Sequence, residues 1–482
     1  MKKTVWLGVL CFSSLLATKE SQACTTVVVG RDATSDHSTL VARNEDVSTH
    51  HAKYFKVYPK TNHGDTTFES NINGFKMTLP KKQYRYTGMP DYNEKEGRFL
   101  ENGINEFNVA MSATESATTN KEMQKLDPFN KDGIDEASML NVVLPFIKTP
   151  EDGVKRLGGI VEKYGSDAAN GVIFSDKKDI WYMEIGSGHQ WVAQRVPKDC
   201  YAVIPNQLSI EKVDFNDKKN FMYSKNLPAF AKKHRLLNKD GSLNWKEKFG
   251  TNNKEDAKYN RPRVWAGQRL LTPSKKQSIT QKNFQTFIKP DKKVTVDKVG
   301  EVLADHFNGT PYDTYGKNEG DYRAINVATN VESHILQLRP HYPKEITGVQ
   351  WVAMASPATS VYVPFYTAIN ATPKAYQRGN GTYSSDSAYW TYKLTSVLTN
   401  PYYNQFYDKT VFPVKQNTQA TLHDQLKKSD ARSLTTSEPL IHYLTQANMK
   451  KARYARKQFT NLNNELITLS TAQTHDKHNS DL

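Results

Sequence analysis

Two spacings of apolar residues divide the chain. Thr25-Thr26-Val27-Val28-Val29 is an unbroken β-branched run, and Ser38-Thr39-Leu40-Val41-Ala42 follows turn residues at 31–37, a pattern that predicts a buried hairpin. Alternation at residues 54–58 and 75–79 predicts half-exposed strands, and residues 103–115 predict a turn and a strand ending in small and polar side chains. Helical spacing then takes over. Ala137, Leu140, Val143, Leu144 and Ile147, then Val154, Leu157, Ile160 and Val161, predict two helices within 135–165, the second opened by Thr149-Pro150-Glu151-Asp152. Strand spacing returns at residues 171–174, 180–185, 190–196 and 201–204. The stretch 211–258 is charged and weakly periodic, which predicts a surface excursion. A third sheet-like region is expected at 349–355 and 360–366, a helical tail from 438 to about 470, and a frayed end from 472 to 482. No internal repeat is visible.

Composition adds a boundary to this pattern. Of 482 residues, 37% are hydrophobic and 24% charged, as in ordinary globular proteins. Beyond the leader no apolar run is long enough to cross a bilayer. The leader itself has Lys2-Lys3, an apolar stretch at 5–17 and a polar end with small Ser21 and Ala23, the layout of a secretory signal. A lipoprotein signal would need an aliphatic residue at the position Ser21 occupies. The expected division is therefore a signal peptide at 1–23, a main domain at 24–420 and a helical extension with its tail at 421–482, in a secreted or cell-surface protein.

Formal charge is +15, and removing 1–23 takes away Lys2, Lys3, Lys19 and Glu20 to leave +13. Such charge suits an anionic wall or membrane surface, and scattered lysines serve solubility equally well. No dense basic block or aromatic-interleaved basic motif points to nucleic acid. Cell-wall association and a homo-oligomer are left open.

Cysteine usage narrows the chemistry. Cys11 lies in the leader, so only Cys24 and Cys200 remain and a disulfide framework is excluded. One bridge between them is open arithmetically, although Cys200 begins a strand-like segment where a buried free thiol is the common outcome. His37, His50 and His51 have no metal-ligand spacing, and no Gly-rich phosphate loop stands out; no metal or cofactor is expected. A thiol needs a base or a nearby cation to act as nucleophile. Cleavage before Cys24 would supply an α-amine with an ordinary pKa of roughly 7.7–8.0, and the hairpin returns Arg43 and Asp46 toward the same point. A Cys-His-Asn triad stays open on an inventory of thirteen histidines, without a cysteine-protease signature around Cys24 or Cys200.

Several blocks, in order, resemble the cysteine dipeptidases of the dipeptidase A type, within the N-terminal-nucleophile hydrolases. They are Cys24-Thr25-Thr26 leading to Arg43-Asn44-Glu45-Asp46, Gly103-Ile104-Asn105-Glu106 with Ala110-Met111-Ser112-Ala113-Thr114-Glu115, Trp181-Tyr182-Met183-Glu184 with His189-Gln190-Trp191, Val203-Ile204-Pro205-Asn206-Gln207, and Ser360-Val361-Tyr362-Val363-Pro364-Phe365-Tyr366. The resemblance covers nearly all of 24–410. It implies an α+β fold, the αββα four-layer sandwich of two antiparallel sheets, here with a helical C-terminal extension. It also implies hydrolysis of dipeptides or short peptides.

By likeness to penicillin and bile-salt amide hydrolases, the catalytic set is Cys24, Arg43, Asp46 and Asn206, and Arg261 or Arg263 matches a later arginine. Thr114, Glu115 and Arg263 are the substrate-facing candidates. In the roles this implies, Cys24 attacks the carbonyl and its amine moves the proton. Arg43 favours the thiolate, Asp46 orients the new N-terminus, Asn206 and a backbone N–H near Thr114 hold the oxyanion, and Glu115 faces the substrate ammonium. A chain that carries an export signal leaves open an amidase on non-peptide acyl amides or cell-wall peptides, and, outside enzymes, a non-catalytic surface binding protein.

Overall fold

The β-branched run after Cys24 forms strand β1 (Thr25–Val29) and its return forms β2 (Thr39–Asp46), antiparallel with Thr26 opposite Arg43 and Val28 opposite Val41. The computed structural model describes residues 24–47, 51–62, 66–93, 95–251, 253–317 and 320–473. In chain order there follow β3 (Asn102–Ile104), β4 (Ala110–Ser116), α1 (Glu136–Val143), α2 (Pro150–Tyr164), β5 (Asn170–Ser175), β6 (Ile180–Ile185), β7 (Trp191–Arg195), β8 (Tyr201–Ile204) and β9 (Phe221–Tyr223). The second half supplies α3 (Arg261–Leu271), α4 (Val296–Leu303), β10 (Asn330–Leu338), β11 (Gly348–Met354), β12 (Val363–Tyr366), α5 (Ala388–Thr399), α6 (Phe412–Ser433) and α7 (Leu440–Thr471).

Two six-stranded antiparallel sheets result, ordered β8-β1-β2-β10-β11-β12 and β9-β7-β6-β5-β4-β3. The alternation of side chains along each strand sorts them between cores. Val28, Val41, Ala202 and Ile204 of the first sheet share one core with Ile104, Ala110, Ile173 and Tyr182 of the second. Val27, Val29, Leu40 and Ala42 point the other way, into a core with α3 and α4, while Val172, Phe174 and Met183 pack with α1 and α2. Both faces of β1 and β2 are therefore buried, which is why their sequence reads as a continuous apolar run.

Helix α2 begins as the sequence predicts, with a capping box in which the Thr149 hydroxyl accepts from the Asp152 N–H. Its Gly153 and Gly158 let it lie against the sheet: a Cβ would meet the Phe174 ring at 2.4 Å and the Trp191 ring at 2.3 Å. At the far edge of the first sheet, Asn448 of α7 accepts from the Tyr366 N–H and donates to its carbonyl, both at 3.0 Å. That contact occupies the open edge of β12, a position otherwise prone to pairing with another chain.

Three expectations change. Residues 211–258 are more than a surface excursion: Leu227, Phe230, Trp245 and Phe249 are buried in the core shared by the sheets, few apolar anchors set in a charged stretch. The region at 349–366 is no separate sheet, because β10 joins it to β2. Strand β10 escapes sequence reading since Glu332, Ser333, His334 and Gln337 are polar yet buried. The chain also turns helical before residue 421, which lies inside α6. The leader 1–23 and residues 474–482 fall outside the described residues.

Candidate active site

Cys24 precedes β1 directly and is 2% exposed. Pairing with β2 brings Arg43 alongside, and its Nη2 donates to Cys24 Sγ at 2.6 Å. The other nitrogen, Nη1, donates to the Ala113 carbonyl of β4 at 2.6 Å and pairs with the Glu101 carboxylate. Arg43 thus spans the two sheets, fixed on the second and facing the thiol on the first.

On the opposite side of β1, the antiparallel register with β8, continued two residues, sets Asn206 across from Cys24. Arg263, in the first turn of α3, ties the two together. Its Nη1 donates to the Cys24 carbonyl at 2.5 Å and to Thr25 Oγ1 at 3.0 Å; Nη2 donates to Asn206 Oδ1 and Asn260 Oδ1, both at 2.8 Å; Nε donates to the Tyr259 carbonyl at 2.8 Å. These five contacts match the five donors of a guanidinium. Arg263 is fully buried and holds the Cys24 backbone, with no part of its side chain on an open surface. Arg263 rather than Arg261 is the arginine on Cys24. Because Asn206 Oδ1 is held by Arg263, its Nδ2 is turned to the other side of the amide as a donor.

Asp46, at the end of β2, accepts from Arg323 Nη2 and Asn330 Nδ2. A direct Arg43–Asp46 pair is not formed; each has a separate opposite charge. Thr114 and Glu115 lie where β4 shifts register, between Ala113 and Glu115, and their side chains fall outside those described. A neighbouring carboxylate, Glu136 at the start of α1, accepts from Ser116 Oγ at 2.8 Å and is half-buried.

Electrostatics follow from burial. Desolvation pushes the Cys24 thiol well above its ordinary range and outweighs the opposing pull of Arg43, with Glu101 and Asp46 adding to the rise. Burial therefore favours the protonated thiol. Burial likewise raises Asp46 to about 6 against Arg323 and Arg263, and raises Glu101 to about 8 against Arg43. Behind Arg43, Glu45 accepts from Lys53 Nζ at 3.0 Å, and Lys53 also donates to Asp91 at 2.6 Å. His334 contacts Ser112 Oγ at 3.0 Å and Glu332 at 2.9 Å, and burial holds its ring neutral.

Glu101 gives a stability prediction. Its folded pKa lies above its unfolded one, so the folded protein holds that proton more tightly. The stabilisation is complete below the ordinary glutamate range of about 4.3 and is lost as pH rises through about 8. Glu45 and Glu332, also raised by burial, act in the same direction. Tm is expected to fall between pH 5 and 9, and Glu101→Gln, which keeps an acceptor for Arg43 without a titrating proton, to flatten that fall. Calorimetry across this range checks it, and an unchanged slope would count against the assignment.

Sequence reasoning missed Glu101, Asn260, Arg323 and Asn330. Glu101 and Arg323 reach their partners across 58 and 277 residues, beyond any local pattern. The one local sign was a glutamate directly before the buried Asn102-Gly103-Ile104 strand. Cys24 and Cys200 are both free thiols, so the bridge left open between them is absent. Cys200 is pushed up to about 11 by burial and by Asp199. Among the described residues no group of three or more His, Cys, Asp or Glu could hold a metal ion, and no helix is long and apolar enough to cross a membrane.

The chain is similar to several proteins named as dipeptidases. The probable dipeptidase of Latilactobacillus sakei is 36% identical over 460 residues, covering 94% of this chain and 96% of the relative. The probable dipeptidase B of Lactococcus lactis subsp. lactis is 37% identical over 466 residues, covering 93% and 96%. A dipeptidase of Bifidobacterium longum is 34% identical over 410 residues, covering 78% and 77%. The model of peptidase family C69 matches residues 23–416, a stretch holding Cys24, Arg43, Glu101, Asn206 and Arg263. This chain belongs to peptidase family C69.

Proposed function

We propose that the protein is a secreted cysteine dipeptidase whose nucleophile, Cys24, is freed by cleavage after Ala23 and uses its own α-amine as base. The frame would be the four-layer N-terminal-nucleophile sandwich, a reading supported by two antiparallel sheets sharing one core, each with helices on its other face. The observation that carries the proposal is the double hold on residue 24: Arg43 on its sulfur and Arg263 on its carbonyl, directly before the first strand. Relatives named as dipeptidases support the substrate class.

In the reaction, the α-amine accepts the thiol proton as sulfur bonds to the scissile carbonyl carbon, and the carbonyl oxygen becomes an oxyanion facing Asn206 Nδ2. Collapse breaks the C–N bond, and the same proton passes from the amine to the leaving nitrogen. Water then adds to the thioester, giving a proton to the amine; sulfur leaves and recovers that proton, and the free acid departs. Arg43 stabilises negative charge on sulfur throughout. Asp46 is the proposed group that orients the new N-terminus, and Glu115 the proposed counter-charge for the substrate ammonium.

The test is hydrolysis of dipeptides beside N-acetylated and longer peptides by processed protein. Dipeptides are expected to be preferred, with kcat/KM rising with pH through about 7.7–8.0 as the amine loses its proton. Preference for the N-acylated substrates would favour an amidase, and absence of turnover on every substrate would favour a binding protein.

A further inference from the structure

We propose that the groove between α6 and α7 is a binding site for phosphate groups. The two helices border a half-open groove of about 500 Å³, and its lining includes Lys428 and Arg432 from one helix, Lys450 and Lys451 from the other, Gln425, and Glu438 as the opposing charge. Four cations face one carboxylate.

Two of the lining residues each carry a buried side-chain atom with no hydrogen-bond partner: Nζ of Lys451 and Oε1 of Gln425. Lys451 is 1% exposed, and its ammonium rests 4.5 Å from the centre of the Tyr366 ring. The carboxylate nearby, Asp430, is already committed. It takes both ends of the Arg339 guanidinium, at 2.7 and 2.9 Å, and the Tyr366 hydroxyl at 2.7 Å. Lys451 is thus a buried cation whose neighbouring anion is neutralised by another residue, in a groove lined by three more cations.

A buried ammonium without an acceptor is costly, and charge-assisted bonds to an anion relieve that cost. Phosphate fits the chemistry: it brings up to two negative charges and several acceptor oxygens to converging lysines and an arginine. Its hydroxyl, when protonated, can also donate to Gln425 Oε1. Burial lowers Lys451 to about 7, so a bound anion would restore its charge near neutral pH. The lining residues all lie beyond residue 416, outside the stretch that carries the catalytic machinery.

The experiment is titration of the full chain with sodium phosphate against sodium chloride at equal ionic strength, read by calorimetry and thermal shift. A saturable heat and a rise in Tm beyond the chloride control are expected, with affinity reduced about tenfold or more in Lys451→Met. Replacing an unpaired buried ammonium by an apolar side chain of similar shape is neutral or stabilising, so this variant keeps the fold. Arg432→Gln, at the exposed rim, gives a second variant with a smaller loss, and dipeptide hydrolysis is expected to be unchanged in both.

A soluble linear polyphosphate separates the sources. Tighter binding than inorganic phosphate assigns the groove to a polymer, equal or weaker binding to the free ion, and either supports the site provided Lys451→Met loses it. No saturable signal beyond chloride, or equal titration of Lys451→Met and the parent, would overturn the proposal and leave only general screening of a basic surface.

Discussion

Replacing Cys24 with alanine is expected to lower kcat for dipeptide hydrolysis by about 10⁴-fold or more, because covalent catalysis ends with the sulfur. The fold has little stake in that atom. Sγ contacts Arg43, but Arg43 stays anchored to Glu101 and the Ala113 carbonyl, and the Cys24 backbone stays on Arg263. The variant should therefore keep its Tm within a degree or two while losing turnover. Cys200→Ser provides the matched control: a free thiol directly before another strand, expected to leave kcat intact. Comparable activity in the two variants would remove Cys24 from the chemistry and return the site to a binding role.

The second large effect is expected at Asn206. Loss of one oxyanion donor typically costs about 10²–10³ in kcat. Asn206→Ala removes the donor but also the acceptor that holds Arg263 Nη2, so a fall in rate alone would confound two effects. Asn206→Asp separates them, since it keeps an acceptor for Arg263 and deletes the Nδ2 donor, placing negative charge where the oxyanion forms. Both variants should show a reduced kcat with a smaller change in KM. If KM carried the loss and kcat stayed near the parent, Asn206 would bind the ground state and another group would hold the oxyanion.

The β1–β2 hairpin was legible because both of its faces are buried, leaving a continuous β-branched run, and the start of α2 was legible from its capping box. What stayed hidden shares one cause: groups that are polar in sequence but buried in the fold. Strand β10 carries Glu332, Ser333 and His334 between neighbours and so shows no apolar pattern. The same holds at the site. Cys24, Arg43 and Asn206 could be placed by motif, whereas Glu101, which fixes Arg43, and Arg323, which holds Asp46, act through contacts across the chain that only the folded structure creates. Arg263 could be named but not given its role, since its function rests on five contacts made by a side chain with no exposure at all.

Activation by cleavage is the central claim, and it is measurable directly. With the leader attached, the nitrogen of Cys24 is an amide and cannot take a proton from the thiol. Protein carrying a non-cleavable leader, made by substituting Ser21 and Ala23 with bulky residues, is compared with protein whose intact mass and N-terminal sequence begin at Cys24. The account predicts dipeptide hydrolysis in the first slower than in the second by about 10²–10⁴, the usual contribution of a positioned base. Equal kcat/KM in the leader-bearing protein, its N-terminus verified upstream of Ser21, would contradict it.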